Sequence, residues 1–556
     1  RGRVSRCAGF RPAAGAARGD DGFWVAVLPF AHGGTDAGIA ALADGLSEGI
    51  VTGMSRFSYL RVVARGATLR YASMAADTRS VSRALGARYL MEGSVRQAGN
   101  KVRIAVQLVD ANSGAALWAE TYDRPFDPAA VFDLQDELVP RVVATVADMH
   151  GILPRSMSAA LRTRDPATLS PYEAVLRSFA YSERVTADEL ATARHGVELA
   201  VRNAPDYADA WAMLAWLCLQ DHAQGFGIHA DSLALGLAAA RRAVEAAPSN
   251  HLAHAGLAQA FYFRKELESF RNAAERAVAL NSMDGYSIAF LGELLTYTGD
   301  WKRGLELAGR AKQLNPHHPG WYWYADAYHA HSQGDFRGAI ACLLRANMPN
   351  HWGFHAMLAA AHAQLGQRDA AGNALHELLR LRPDFAATAR AELAKWWTPE
   401  YVDHFIDGLR KAGLEIAAAD DASAALPESS KSPAPAAAAA RGEDGFRVAV
   451  LPFRCAGASA DLTALAEGLS EEIVTGLSRF SYLRVISRSS MSRYAGQAID
   501  VRTVGTEIGA RYVMEGSLRQ AGAQLRVAVQ LVDAATGAHL WAETYERPFR
   551  SEDLFA

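Results

Sequence analysis

Apolar residues along this chain follow two rhythms. From residue 170 to 400 they return every three or four positions in blocks rich in Ala and Leu, as in His254-Leu257-Ala258-Phe261 and Ile288-Leu291-Gly292-Leu295. That spacing puts them on one face of a helix. Outside this block the runs are shorter. Trp24-Val25-Ala26-Val27-Leu28-Pro29-Phe30 is an apolar run closed by proline, which predicts a buried strand. Leu42, Leu46, Ile50 and Met54 recur every four residues and predict an amphipathic helix. Residues 60–65 (LRVVAR) predict a second strand, and residues 80–87 a short helix stopped by Gly86. Three alternating runs follow, ARYLMEGSVRQ, KVRIAVQLVDA and AALWAETYDRPF, with Gly-containing turns between them. They predict an antiparallel meander.

This mixed block occurs twice. Residues 21–126 align with 444–549 at a constant offset of 423, with 69 of 106 positions identical. GARYLMEGSVRQAG at 86–99 returns as GARYVMEGSLRQAG at 509–522. Tandem duplication of an α/β domain is the plain reading.

The helical block has its own period. Prolines stand at 248, 316, 349 and 383, and Asn281-Ser282 takes the place of a missing one, so the intervals are 34, 34, 33 and 34. Such a period predicts stacked helix–turn–helix pairs. One pair cannot bury its apolar face alone, so about five must stack. An earlier unit around Ala210-Trp211-Leu214-Ala215 carries a longer insertion. The expected organisation is a linker-like segment (1–20), an α/β domain (21–150), a helical array (165–415), a Pro/Ala/Ser linker (416–443) and a second α/β domain (444–556) cut short at its C-terminal side. The chain starts at Arg1 and stops inside a pattern that the first copy continues, so it is read as incomplete at both ends.

The array units resemble tetratricopeptide repeats. The VAVLPF opening, the ADGLSEGIVTGMSRF helix and the YLMEGSVR…RIAVQLVDA…ALWAETYD meander resemble the TolB-like amino-terminal domain. The fold class implied is α/β TolB-like domains, each a mixed sheet with an antiparallel meander, flanking an all-α tetratricopeptide solenoid. In many bacterial multidomain proteins of this kind a class III adenylate/guanylate cyclase domain, or a winged-helix DNA-binding domain, precedes the pair. Residues 23–415 are similar to that tail throughout, including the closing TPEYVDHFIDGLRKAGL. Two departures stand out: no repeats follow the second copy, and the chain holds neither the metal-binding Asp pair nor the purine-selecting loop of a cyclase.

Composition narrows the function classes. A length of 556 residues suggests about three to four domains. Half the residues are hydrophobic, 21% are charged and the net charge is −3, so no basic excess points to nucleic acid. Cys7, Cys218, Cys342 and Cys455 are scattered, as expected in a reducing compartment. No run of eighteen apolar residues is present, so no membrane span is expected. A cytoplasmic setting is expected; a periplasmic one would require an export signal upstream.

Candidate chemistry is sparse. Glu92 and Glu515 sit beside Gly and Ser on predicted strands, but no second acid, His or nucleophile recurs with them. A cross-strand polar pair is expected instead, with Arg103 as partner to Glu92 and Gly93 marking a bulge or close backbone approach. Ser47-Glu48 and Ser470-Glu471 read as capping or solvent-facing residues. His351 and His355 have the i, i+4 spacing of metal ligands but lack a third ligand that sequence can place. No phosphate-binding glycine loop occurs. No catalytic residue, metal or cofactor is therefore expected. The best lead is the concave groove of the array. In the tetratricopeptide reading its exposed positions are Trp216, Gln259, Tyr262, Glu293, Tyr297, Trp323, His331 and Gln364, with Trp211, Phe261 and Trp301 in the core. Such a lining suits a protein or peptide partner. The expectation is a non-catalytic interaction and regulatory region of a bacterial signalling protein, whose TolB-like domains dock or self-associate. The alternatives are the tail of an adenylate/guanylate cyclase or of a winged-helix transcription regulator.

Overall fold

The computed structural model describes residues 23–33, 36–72, 78–416, 446–456, 460–478, 483–486, 491, 494, 500–521 and 524–548. The expected terminal segment 1–20 and nearly all of the linker 416–443 lie outside the described residues.

The first α/β copy runs β1 (Trp24–Val27), β2 (Ala31–His32), α1 (Ala37–Met54), β3 (Arg61–Val62), α2 (Arg65–Thr68), α3 (Thr78–Leu85), β4 (Tyr89–Ala98), β5 (Lys101–Asp110) and β6 (Ala115–Pro125). Its sheet has the order β3-β1-β4-β5-β6, with β2 also on β4. β1 lies parallel to both neighbours, whereas β4, β5 and β6 form the antiparallel meander. The second strand is shorter than its apolar run suggests, because the chain turns into α2 at Arg65. Asp36 caps α1 by accepting from the Gly38 and Ile39 amides.

Two helices cover one face of this sheet: α1 and α4 (Val131–Ala147). They approach closely through glycines four residues apart. A Cβ at Gly45 would fall within 2.0 Å of the Gln135 side chain, and one at Gly49 within 2.8 Å of Val139. At the β1 end of the other face, Val81 and Leu85 of α3 pack with Ala67, Ala26 and Leu90. On the outer part of that face Arg96 and Arg103 are exposed.

The array follows α5 (Ile152–Leu161). It begins with α6 (Pro171–Ser178), α7 (Ala180–Glu183) and α8 (Ala187–Asn203). Five helix hairpins then stack: α9 (Ala208–Gln224) with α10 (Ser232–Ala246), α11 (His251–Phe263) with α12 (Leu267–Leu280), α13 (Gly285–Tyr297) with α14 (Trp301–Leu314), α15 (Tyr324–Ser332) with α16 (Phe336–Ala346), and α17 (Trp352–Gln364) with α18 (Arg368–Leu381). Several hairpin turns use a left-handed glycine, Gly299, Gly334 and Gly366 among them. α19 (Phe385–Trp396) and α20 (Pro399–Lys411) close the array.

One continuous core joins the first copy to the array. Tyr59 donates to the Ala147 carbonyl at 2.7 Å, and its ring meets Phe179 at 4.8 Å. Ser58 and Asn250 both donate to the buried Asp209 carboxylate, at 2.5 and 2.6 Å.

The second copy repeats the plan with β7 (Phe446–Val450), β8 (Arg454–Ala456), α21 (Ala460–Ser478), β9 (Leu483–Val485), α22 (Val501–Ile508), β10 (Tyr512–Ala521), β11 (Gln524–Asp533) and β12 (Ala538–Pro548). Its strand order, β12-β11-β10-β7-β9, is that of the first copy. Its outer sheet face lies on α1 and α4 of the first copy. Ser517 and Arg519 donate to Glu48, and Arg526 donates to Gln135 and Asp136 at 2.9 and 2.6 Å. A backbone bridge joins Val63 to Ala538.

Two local expectations change, and the Gly93 alternatives narrow to one. Glu92 does not pair with Arg103: register sets Gln107 opposite Glu92 and Arg96 opposite Arg103. Gln107 donates to Glu92 at 2.8 Å, while Arg103 pairs with Asp123 at 2.7 Å. Gly93 is a close approach, because a Cβ there would lie 2.5 Å from the Phe30 ring, and Gly516 repeats this against Phe453. Ser47 and Glu48 are not solvent-facing but 3% and 6% exposed. They lie within α1, where Ser47 accepts from the Phe30 amide and the second copy covers Glu48.

Candidate recognition cleft

The first helix of each hairpin faces the concave side of the array. On α13, Tyr286, Phe290, Glu293 and Tyr297 fall at steps of four, three and four residues, so one helix face carries three rings and a carboxylate. Trp216 on α9, Tyr324 on α15 and Trp352 on α17 bring further rings from neighbouring hairpins. Trp396 and Trp397, at the end of α19, close the far wall. The result is a cleft of about 330 Å³.

The closure follows from the path of the last helices. Tyr262 donates its hydroxyl to the Trp396 carbonyl, and Lys265 donates to the Lys395 carbonyl at 2.7 Å. Lys395 in turn reaches the His222 carbonyl at 3.4 Å. Thus α19 returns to the ends of α9 and α11, and the Trp396 ring packs on Phe263 with 5.1 Å between centroids. The array curls around its own concave face.

The rings hold one another in place. The Trp216 indole N–H donates to the Tyr286 hydroxyl at 2.9 Å, and Tyr286 meets Trp321 edge-on at 5.7 Å. Tyr297 meets Trp397 at 6.0 Å. Edge-to-face packing of this kind fixes ring orientation. Little reordering would then accompany binding.

Electrostatics single out Glu293. It is the one carboxylate in the cleft lining, which contains no Lys or Arg among the described residues. Burial drives its pKa up to about 7, against the opposing hydrogen bond from the Tyr297 hydroxyl. His351 is pushed down to about 4 by burial and then by His355, so its imidazole is neutral at pH 7. Its Nδ1 lies 3.2 Å from the Tyr324 hydroxyl. The cleft therefore offers aromatic faces, neutral polar tips and one acid poised near neutrality.

The eight residues expected in the groove divide. Trp216, Glu293 and Tyr297 line the cleft together. Gln259 is buried behind it, beside Trp216 and Tyr286. Tyr262 lies under the α19 closure, 1% exposed. His331 is fully buried, with Nδ1 2.8 Å from the Tyr401 hydroxyl, and burial lowers its pKa to about 3. Trp323 stands apart, with Lys312 Nζ 4.1 Å and the Arg345 guanidinium 4.8 Å from its ring centroid. Gln364 bonds Asp407 and Lys411 of α20. His351 and His355 have separate partners, His355 Nε2 lying 2.8 Å from the Pro349 carbonyl. Among the described residues no group of three His, Cys, Asp or Glu could hold a metal ion.

Sequence reading missed Tyr286, Phe290, Trp321, Tyr324, Trp352, Trp396 and Trp397. The α13 positions carried a usable signal, since Tyr286 and Phe290 precede Glu293 on one helical face. Trp396 and Trp397 carried none, because only the return of α19 brings them to α13.

Comparison with known proteins bears on both parts. The family model for the second domain of HilA/YgeH-like transcriptional regulators matches residues 22–159 and again 444–548, where the sequence resembled a TolB-like domain. Putative adenylate cyclase 3 of Rhizobium meliloti (strain 1021) is 32% identical over 250 residues, which are 45% of this chain and 42% of that protein. The chain thus spans less than half the length of that relative. Among solved structures, the anaphase-promoting-complex hetero-tetramer Cut9–Hcn1 is 16% identical, covering 47% of this chain and 45% of that one, with a TM-score of 0.35. A tetratricopeptide repeat protein from Parabacteroides merdae ATCC 43184 is 14% identical, covering 43% and 98%, with a TM-score of 0.28. Among the described residues no helix is long and apolar enough to cross a membrane.

Proposed function

We propose that this chain is a non-catalytic recognition and regulatory portion of a bacterial signalling protein, and that its cleft binds a peptide segment with an aromatic or aliphatic anchor beside a basic residue. The observation that carries this reading is the lone Glu293 carboxylate in a preformed aromatic cleft of about 330 Å³. That volume lies at the lower end of small-ligand sites. It has room for one or two large side chains, and the rings supply both stacking and cation–π surfaces.

Selection of a random displayed peptide library against the chain tests this. Enriched peptides are expected to pair an aromatic residue with Lys or Arg. A synthetic peptide from that set should bind Trp352→Ala at least tenfold more weakly, with helicity unchanged. Enrichment without that composition, or equal binding to the variant, would refute the reading.

The similarity to putative adenylate cyclase 3 favours a second reading for the whole protein: this region is the regulatory tail of a nucleotide cyclase. The HilA/YgeH-like match favours a transcription regulator instead. The reading frame upstream of Arg1 distinguishes them. Nucleotide turnover by the isolated chain would contradict the non-catalytic assignment.

A further inference from the structure

Glu293 is set among rings in a way that bears on which cation can sit beside it. Along α13 the carboxylate stands between two ring clusters. Toward the N-terminal end of the helix, Phe290 lies parallel to Tyr286 at 6.2 Å and meets Trp321 edge-on at 6.4 Å. Toward the other end, Tyr297 meets Trp396 at 6.3 Å and Trp397 at 6.0 Å, both edge-on. Tyr324 feels the same charge from α15: burial first, and Glu293 after it, push its hydroxyl well above the ordinary tyrosine value. The lining holds no cation of its own among the described residues. It contains no Lys or Arg, and its two imidazoles, His150 and His351, are each lowered to about 4, chiefly by burial.

Hydrogen-bond acceptors are scarce beside these rings. The Tyr297 hydroxyl already donates to Glu293 Oε1, and the Tyr286 hydroxyl already accepts from Trp216. The Tyr324 hydroxyl lies 3.2 Å from His351 Nδ1. A guanidinium brings five N–H donors and a primary ammonium three. Most of them would lose water on entering the cleft without gaining an acceptor, and that opposes binding. A nitrogen capped by methyl groups brings no donor to leave unpaired. Its charge is spread over methyl surface that packs on rings, whose quadrupoles attract it.

We propose that the cation best suited to the cleft is a quaternary ammonium head, held between the two ring clusters of α13 with Glu293 as its counter-ion. This rests on the reading of the cleft as the recognition site, and it narrows the ligand from any basic group to a fully alkylated one. Unmodified Lys or Arg enters less deeply, keeping part of its hydration. The same head occurs on a free small molecule such as choline and on a peptide that carries trimethyllysine.

Isothermal titration calorimetry on the full chain tests the proposal, at about pH 8 so that Glu293, raised to about 7, is ionised. Two pairs of probes are compared. One is choline and its uncharged isostere, in which a tert-butyl group replaces trimethylammonium. The other is a lysine peptide selected on the cleft, unmodified and trimethylated. The quaternary member is expected to bind about tenfold more tightly or better. Glu293→Gln should shrink that advantage while leaving the isostere's affinity and the helicity unchanged. An advantage in the choline pair supports the proposal and points to a free ligand; an advantage confined to the peptide pair supports it and points to a peptide-borne head. No advantage in either pair would overturn it, and a lysine peptide that still binds would leave the peptide reading standing. If no peptide is selected but choline outbinds its isostere, the peptide reading fails and the ammonium site stands.

Discussion

Glu48→Gln should loosen the second α/β copy without unfolding the rest. The Glu48 side chain is 8% exposed and accepts from both Ser517 and the Arg519 guanidinium, which is 6% exposed. The substitution keeps the shape and removes the charge, leaving a buried cation with the half-exposed Asp44 as its remaining acidic partner. Breaking a buried ion pair from one side costs about 3–5 kcal/mol. Because Asp44 stays, the lower end applies, and about 3 kcal/mol corresponds to roughly a hundredfold shift toward the detached state. Residues 417–445 keep the detached copy tethered, so detachment is a local opening. The Ala64 amide reports it directly, since it donates to the Gly537 carbonyl across the interface at 3.3 Å. Hydrogen exchange followed by mass spectrometry should show about a hundredfold loss of protection at segments 61–66 and 536–540, with the helices of the array unchanged. Glu48→Arg with Arg519→Glu should recover part of the loss, as expected of a coupled pair. A loss below about threefold would refute the reasoning, because it would mean that the buried pair contributes less than about 1 kcal/mol to docking. Equal loss throughout the array would refute it too, since the contact would then be integral to global folding.

The remaining predictions concern single positions. Affinity for a basic aromatic peptide should rise as pH increases from 6 to 8, as Glu293 ionises around its raised value of about 7, and Glu293→Gln should flatten that dependence in isothermal titration calorimetry. In the free chain the sign is opposite: a folded pKa above the ordinary value of 4.5 means that stability falls as pH rises from about 4.5 to about 7, and Glu293→Gln should reduce that slope in thermal unfolding. Gly49→Ala in α1 forces a Cβ to 2.8 Å from Val139 and should destabilise by about 1–3 kcal/mol, whereas Gly476→Ala in α21 meets no atom of a described residue within 4 Å and should be neutral or stabilising by up to about 1 kcal/mol in denaturant melts. Tyr262→Phe removes the hydroxyl that holds the Trp396 carbonyl and should raise exchange at residues 393–398 while leaving α13 protected.

Period and pattern carried most of the architecture. The spacing of prolines and apolar residues in 248–383 predicted hairpins that the structure builds as α11 to α18, and alternation predicted the meander down to its Gly99 turn. What escaped was every relation between distant elements. Arg103 was expected opposite Glu92 by proximity, but register is fixed by the whole ladder, and one shift of four residues gives Arg103 to Asp123 instead. Glu48 has the sequence environment of a surface residue, because helix periodicity describes only the face turned to its own sheet. Its partner lies 471 residues away on another copy. Of the groove positions expected helix by helix, Trp216, Glu293 and Tyr297 line one cleft. Tyr262 and His331 were expected beside them, yet the return of α19 and α20 covers both.

Duplication makes this limit sharp. Arg103 and Arg526 occupy one position in two copies of one sequence, and their neighbours along the strand are nearly the same. The first is exposed and pairs with Asp123 beside it; the second is buried and reaches Gln135 and Asp136 of the other copy. No rule applied within a copy can separate them. The difference comes from which surface each copy can reach, and that depends on the array and the linker between them. The two helices differ in the same way: Gly49 of α1 lies tight against Val139, whereas the matching position of α21 is an exposed Glu472.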